Sequence, residues 1–185
     1  VQGFDTEGFD TRIACQIRDF KPPSRIEHKE ARRMARFTQF AVAAAFEAVE
    51  QSGVDISQLD PYEVGVTLGC GIGGIDVIEK QHKVLQNKGP KRVSPLLIPM
   101  FIPNMAAGQV AIQLGARGPN TCPVTACASA AHAIGDAFRI LQRGEASQLF
   151  FGQSREQTIY DMAFVSLLGR SLNMTFCHVF GCTSV

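Results

Sequence analysis

The stretch from Thr121 to Gly144, TCPVTACASAAHAIGDAFRILQRG, constrains the fold of this chain more than any other. It predicts a short apolar strand, a tight turn and a long helix, with Cys127 where the turn meets the helix. Small residues crowd that joint, so we expect the backbone to approach a ligand closely and the sulfur to stay unshielded. They are Ala126, Ala128, Ser129, Ala130 and Ala131.

Cys127 is a candidate nucleophile because it would lie at a helix N-terminus. Unpaired backbone N–H groups and the positive end of the helix dipole favour a thiolate there. The same N–H groups can hold an oxyanion, which is the other requirement of acyl transfer at a thioester or carbonyl carbon. From local sequence alone, a buried cysteine that only packs on an alanine-rich helix is the alternative.

His132 lies five positions after Cys127 and is the obvious candidate for its general base. Five residues turn a helix by about 500°, so the imidazole would point roughly 140° away from the sulfur. We therefore interpret His132 as a structural histidine.

Composition limits the class of protein. The 185 residues have a formal net charge of +1, with 45% hydrophobic and 19% charged residues, as expected of a globular protein with a sizeable core. The balanced charge supports neither nucleic acid nor a membrane surface as a partner. The longest apolar region, residues 95–114, is interrupted by prolines and polar residues, so no membrane span is predicted.

The six cysteines contain no CxxC pair, so reduced thiols are expected rather than a disulfide framework. Cys177, His178 and Cys182 resemble a zinc site only superficially, because a structural zinc site needs two pairs of ligands. No metal site is predicted.

Apolar residues at alternating spacings of three and four, from Met34 to Ala48, predict one helix over about residues 29–51 that stops at Gly53. Its first turns would carry Lys29, Arg32, Arg33, which is unfavourable to the helix dipole. From local sequence, this basic start is interpreted as a solvated surface.

Other elements follow from periodicity and turn residues. In the Cys127 helix, we expect a buried stripe of Ala131, Ile134, Phe138 and Leu141. The glycine-rich turn after residue 69 matches neither phosphate-loop pattern. The remaining expectations are a possible strand over 12–17, a strand over 62–69, helices over 75–87 and 105–114, and a strand over 147–152.

The stretch VTACASAAHAIGDAFRILQRGEA resembles the active-site segment of β-ketoacyl-acyl-carrier-protein synthases, the condensing enzymes that elongate acyl chains in fatty-acid synthesis. The segments FDTEGFDTRIACQIRDF, KEARRM and SPxxIP…NMAAGQVAIQLGARGPN resemble the same family. The resemblance implies an α/β fold, the thiolase-like α/β/α/β/α layered fold, of which this chain carries the N-terminal half only. It also implies that Cys127 takes the growing acyl chain as a thioester.

The resemblance implies further roles. Ile72 would line the acyl tunnel, with plain core packing as the alternative, and Leu97 would lie at a homodimer interface and contribute to the neighbour's acyl pocket. Acyl carrier protein is the implied partner, and phosphopantetheine would arrive on it, so no cofactor of the chain's own is expected. The implied docking residues for the carrier are Lys29, Arg32, Arg33, Lys91 and Arg92.

We expect residues 1–152 to form the half-domain, incomplete at its start, and residues 153–185 to be a divergent tail, a truncation product or an altered reading frame. The later family motifs HGTGT, the lysine-bearing SxKS and NSFGFGG do not occur in this chain. Condensation with malonyl-carrier protein is therefore not expected of it alone.

Two functions follow from this comparison of segments. One is an acyltransferase of fatty-acid biosynthesis, and the alternative is a non-catalytic module that binds carrier protein or a full-length subunit. A thiolase or coenzyme-A-primed synthase shares the cysteine but not the KEARRM segment. We expect the protein to be cytoplasmic, with an organelle as the alternative. Half of the layered fold would leave the apolar faces of the Cys127 helix and of its sheet open to water, so we expect residues 1–185 alone to be unstable or to associate.

Overall fold

A computed structural model describes residues 5–10, 17, 20–22, 24–154, 161–168 and 171–178. The strands are β1 (Val64–Cys70), β2 (Asn120–Thr121), β3 (Gln148–Ser154), β4 (Asp161–Leu168) and β5 (Ser171–His178). The helices are α1 (His28–Ala31), α2 (Arg36–Ser52), α3 (Ile75–Lys88), α4 (Leu97–Phe101), α5 (Met105–Leu114) and α6 (Ser129–Gln142). The predicted strands over 62–69 and 147–152 and the helices over 75–87 and 105–114 are thus confirmed, within a few residues at their ends.

The strands form one mixed sheet in the order β2-β1-β3-β4-β5. The first three run parallel, with Val66 opposite both Asn120 and Phe150. The strand β4 is antiparallel to both of its neighbours, β3 and β5. Helices lie on both sides of this sheet, as the predicted α/β class requires.

The two sides of the sheet have different cores. Alternate residues of a strand point to opposite faces, and β3 shows this directly. Phe150 joins the cluster formed with α2, α5 and the valines of β1. Leu149 and Phe151 join the smaller cluster formed with α6. The Cys127 helix therefore lies on the face opposite α2 and α5.

The single helix predicted over 29–51 is wrong: the structure has two helices, α1 and α2, separated by a turn. The side-chain amide of Gln39 donates to the carbonyls of Ala31 and Met34, at 2.7 and 3.1 Å, which satisfies the carbonyls at the end of α1. Because Met34 stays buried in the same core, the apolar spacing continues through the turn. The predicted stop at Gly53 is confirmed, with φ 66° in the left-handed region.

The predicted buried stripe of α6 is also wrong for three of its four residues. Leu141 is buried, but Ala131 is exposed, and Ile134 and Phe138 are 50% and 46% exposed. The helix instead buries a neighbouring side, where the small residues Ser129, Ala133 and Ala137 let its backbone lie close to the sheet. The residues it buries are Ser129, Ala133, Ala137, Ile140 and Leu141.

Helix α4 was not predicted, since the segment that contains it holds several prolines. Pro99 occupies the third position of α4, where a backbone N–H would have no intrahelical acceptor, so the ring costs no hydrogen bond. This short helix brings the chain back from α3 to α5.

The tail contributes two strands, although no structure was predicted for it. The backbone of β4 pairs with β3 and with β5, and Leu168 lies opposite Ser171 across a two-residue connection. The possible strand over 12–17 lies, except for Ile17, outside the described residues. In the described part of the chain, no helix is long and apolar enough to cross a membrane.

Candidate active site

Cys127 lies in a single 3-10 turn, Ala126–Ala128, which continues directly into α6 at Ser129. Its side chain is exposed. The predicted short strand before it is β2, which ends at Thr121; Pro123, two residues later, has no N–H to donate to a ladder. The carbonyl of Pro123 still accepts a hydrogen bond from the backbone of Cys70 at 3.1 Å. The predicted position of Cys127, at the start of a helix after a tight turn, agrees with the structure.

The turn is backbone-strained at the residue before Cys127. Ala126 has φ 49° and is, among the described residues, the non-glycine residue with a positive φ. Such a conformation costs about 1–3 kcal/mol and persists only when the surrounding contacts impose it. The contacts come from Ser129, which is fully buried.

The hydroxyl of Ser129 connects three backbone groups. It accepts a hydrogen bond from the N–H of Thr125 at 2.9 Å. It lies 2.8 Å from the carbonyl oxygen of Ala126 and 3.3 Å from that of Cys70, the two acceptors available to its single proton. The sequence suggested only that Ser129 is small; the pattern carried no signal that its hydroxyl would be central to the turn.

The glycine-rich turn after β1 lies against the Cys127 turn. A Cβ at Gly71 would be 3.6 Å from the carbonyl oxygen of Ala126. The next residue, Ile72, is 62% exposed at the same end of the sheet. The structure therefore brings the segments of Ile72 and Cys127 together, and Ile72 does not belong to the buried core.

Leu97 lies elsewhere, in the wall of a cavity of about 700 Å³ that we call the Leu97 cavity. Neither Cys127 nor Ile72 lines it, so the structure does not place Leu97 beside the thiol of the same chain. The Leu97 cavity is lined by Met34, Ala35, Arg36, Asp76, Val77, Lys80, Gln81, Ser94, Leu97 and Met100.

The two predicted basic clusters adjoin residues of this cavity wall along the chain, although none of their five side chains lines the cavity. Residues 29–33 lead directly into its wall at Met34, and residues 91–92 lead into it at Ser94. The ion pairs found within the described residues are Lys80–Asp76, Lys83–Glu79 and Arg143–Glu145, so none uses the predicted docking side chains. Those side chains are all exposed: Lys29, Arg32, Arg33, Lys91 and Arg92.

Sequence reasoning missed two further cations of the cavity wall, Arg36 and Lys80. Arg36 follows Arg33 by three residues, a spacing that would have extended the basic cluster. Lys80 had no such signal, because only the tertiary structure brings α3 beside the start of α2.

The described cysteines are chemically different. Burial raises the pKa of Cys70, which is 1% exposed. Burial, followed by the proximity of Cys70, raises the pKa of Cys122 to about 12. Both thiols are therefore protonated at neutral pH, while the thiol open to solvent is that of Cys127.

His132 is exposed on α6. No group of three or more possible metal-ligating side chains was found among the described residues.

Comparison with known sequences gives consistent results. The profile of the β-ketoacyl synthase N-terminal domain matches residues 10–178. A 3-oxoacyl-[acyl-carrier-protein] synthase 2 of Staphylococcus aureus is 49% identical over 152 residues, which cover 82% of this chain and 38% of that protein. The synthase of the same name from Synechocystis is 47% identical over 152 residues, covering 82% of this chain and 36% of that protein. The chain thus spans well under half the length of these relatives.

Solved structures show a similar fold. A type II polyketide ketosynthase, in complex with its acyl-carrier protein and bound to a hexaketide, superposes with a TM-score of 0.70 at 26% identity, over 76% of this chain and 40% of that one. A β-ketoacyl synthase from Burkholderia phymatum gives a TM-score of 0.70 at 24% identity, over 80% of this chain and 36% of that one. The profile match extends past residue 152, so the predicted division there stays a prediction.

Proposed function

The chain belongs to the β-ketoacyl synthase family through its N-terminal domain, and from that premise we propose that Cys127 accepts an acyl group from acyl carrier protein. One observation carries the proposal: the exposed thiol lies in a strained turn at the start of α6. A helix start provides backbone N–H groups without intrahelical acceptors, which stabilise negative charge.

The proposed step is a thioester exchange. The sulfur of Cys127, as thiolate, forms a bond to the acyl carbon, and the bond from that carbon to the phosphopantetheine sulfur breaks. The phosphopantetheine leaves as a thiolate and takes up a proton. Backbone N–H groups of the turn would hold the oxyanion of the tetrahedral intermediate.

The acidic carrier would dock on the basic residues around the Leu97 cavity. Five exposed cations without described ion pairs make this surface electrostatically suited to an acidic partner. Arg36 adds a positive charge in the cavity wall, where the charge of Lys80 is balanced by Asp76. One of the ketosynthase structures similar to this chain is a complex with an acyl-carrier protein.

The acyl chain would lie against the exposed side chain of Ile72, at the end of the sheet that carries Cys127. Leu97 would act across a homodimer, since it lies away from the thiol of its own chain. We propose no cofactor beyond the phosphopantetheine of the carrier. Condensation with malonyl-carrier protein would need groups found in the rest of a complete synthase.

The test is an acylation assay on the full chain. The protein is incubated with an acyl-carrier protein that bears a medium-length acyl thioester, and intact-mass and peptide mass spectrometry locate the adduct. We expect a mass increase of one acyl group on the peptide that contains Cys127.

The matched control is Cys127→Ala, which should form no adduct while Cys70 and Cys122 remain unmodified in both proteins. A folded protein whose Cys127 stays free of acyl groups would contradict the proposal.

A non-catalytic binding module is the second candidate, favoured by the five exposed basic side chains that no ion pair among the described residues uses. Carrier binding that persists in Cys127→Ala, without acyl transfer in the unmodified chain, would support this function. Loss of binding in a Lys91→Ala, Arg92→Ala double variant would assign the surface in either case.

A further inference from the structure

We propose that Ser129 is a positioning residue for Cys127: its buried hydroxyl joins the end of β1 to the turn and holds that turn in the conformation that presents the thiol. This inference deepens the proposed function and rests on it for its catalytic meaning. Its structural part stands on distances within the chain.

The first support is the set of bonds made by the hydroxyl. The N–H of Thr125 and the carbonyl of Ala126 belong to the turn, while the carbonyl of Cys70 belongs to β1. The fully buried hydroxyl of Ser129 therefore has partners in both the turn and β1, and it connects the two. Removing it would leave the N–H of Thr125 without its protein partner and the turn without its bond to β1.

The second support is the strain at Ala126. An alanine does not adopt φ 49° without constraint. The Ser129 hydroxyl lies within hydrogen-bond distance of the carbonyl oxygen of Ala126 and accepts a hydrogen bond from the N–H of Thr125, the preceding residue. It therefore contacts the backbone on both sides of the strained φ angle. Without these bonds, we expect the turn to relax toward an ordinary conformation and the sulfur of Cys127 to move.

The third support is the close approach of β1. A Cβ at Gly69 would lie 2.3 Å from the carbonyl oxygen of Ser129, and 2.5 Å from its carbonyl carbon. The first turn of α6 thus rests directly on the backbone of β1. Because this contact fixes the backbone of Ser129 against β1, it also fixes the position from which the hydroxyl bonds to the turn.

The experiment compares the full chain with Ser129→Ala, Ser129→Thr and Ser52→Ala. Ser52 is the matched control, because its hydroxyl also donates to a backbone carbonyl, that of Val49 at 2.8 Å, and accepts a backbone N–H, that of Val54. Its position at the end of α2 is remote from Cys127 in the fold. Rates of alkylation at Cys127 by iodoacetamide are measured at pH 7, together with acyl transfer from acyl-carrier protein.

We expect Ser129→Ala to slow alkylation at pH 7 by roughly two- to fivefold, the range expected when a charge loses a helix start. Acyl transfer, which also requires alignment, should fall by about 10- to 100-fold. Ser129→Thr keeps the hydroxyl and should recover most of both rates, and Ser52→Ala should leave both unchanged.

Equal rates of alkylation at Cys127 in the unmodified chain and in Ser129→Ala would overturn the proposal. Equal losses in Ser129→Ala and Ser52→Ala, or in the alanine and threonine variants, would overturn it as well. If the unmodified chain forms no acyl adduct, the proposed function fails, while the alkylation rates still decide the role of Ser129.

Discussion

Helices α2 and α6 are both rich in alanine, but the structure encloses only one of them. Nine of the 17 residues of α2 are buried, including a continuous run from Phe40 to Ala45. It packs against α5 and the strands β3, β4 and β5. Five of the 14 residues of α6 are buried, all on the side that meets β1 and β3.

The difference shows that an apolar helix does not by itself indicate how many of its sides are covered. α6 has a second apolar surface, formed by Ala131, Ile134 and Phe138, that the described residues leave in contact with solvent. We call it the outer face of α6. The expectation that an apolar face of the Cys127 helix would be open is confirmed. Exposed apolar patches of this kind favour association.

The largest expected effect contrasts two phenylalanines. Phe37 on α2 is 1% exposed within the main core, whereas Phe138 on α6 is 46% exposed. We expect Phe37→Ala to lower the free energy of unfolding by about 3–5 kcal/mol, because it leaves a cavity. Phe138→Ala should change it by less than about 0.5 kcal/mol. Urea denaturation of both variants measures this, and equal losses would break the comparison.

The second prediction adds volume instead of removing it. Ala44 on α2 has no exposed surface, so Ala44→Leu should cost about 1–3 kcal/mol through overpacking. Ala131 lies on the outer face of α6, and Ala131→Leu should be tolerated within about 0.5 kcal/mol. Thermal and urea unfolding provide the measurement. A large loss in Ala131→Leu would show that the outer face of α6 is covered in solution.

The third prediction uses the protonation of Cys122, which packs against the core on the α2 side. Its pKa is raised to about 12 in the fold and lies near 8.5 in an unfolded chain. The stabilising contribution of the protonated thiol is complete below about pH 8.5 and is lost as pH rises toward 12.

The unmodified chain should therefore lose up to about 2 kcal/mol more stability between pH 7 and pH 10 than Cys122→Val, which has no thiol at this position; solvent screening of the partly exposed thiol lowers this ceiling. Urea unfolding at both pH values gives the difference. An equal change in the free energy of unfolding of the two proteins between pH 7 and pH 10 would show that burial does not hold the Cys122 thiol protonated.

The smallest effect on stability is expected from a charge on the outer face of α6. Ile134→Asp should alter the free energy of unfolding by less than about 0.5 kcal/mol, because the side chain is 50% exposed. It should reduce self-association, which sedimentation velocity measures over a range of concentrations. Glu145→Asp, a change at an already charged exposed position, is the control. Self-association that is unaffected by Ile134→Asp would show that the chains associate through a surface other than the outer face of α6.

Sequence reasoning was most successful where one local signal was sufficient. The end of α2 at Gly53, the bounds of α5 and the turn that carries Cys127 all follow from nearby residues. It was wrong over residues 29–51, because the cap that separates α1 from α2 comes from the side chain of Gln39, which has no signature as a breaker. It was wrong on α6 because a helix with apolar residues on two faces offers two equally good stripes.

The candidate site divides in the same way. Cys127 and the basic clusters were identified from local patterns and family resemblance, and their roles stay predictions. Ser129, Arg36 and Lys80 were missed, since their significance depends on elements that are distant in the chain.

The amino-acid sequence by itself determined the order of the main helices and strands, the thiol at the start of α6 and the family to which the chain belongs. Those properties depend on periodicity, turn residues and short motifs, which act over a few neighbouring positions. Only the tertiary structure decided which side of α6 is buried, which thiols are shielded and which hydroxyl supports the turn. Burial depends on what covers a residue from elsewhere in the chain, and Gly69 of β1 sets how closely α6 approaches.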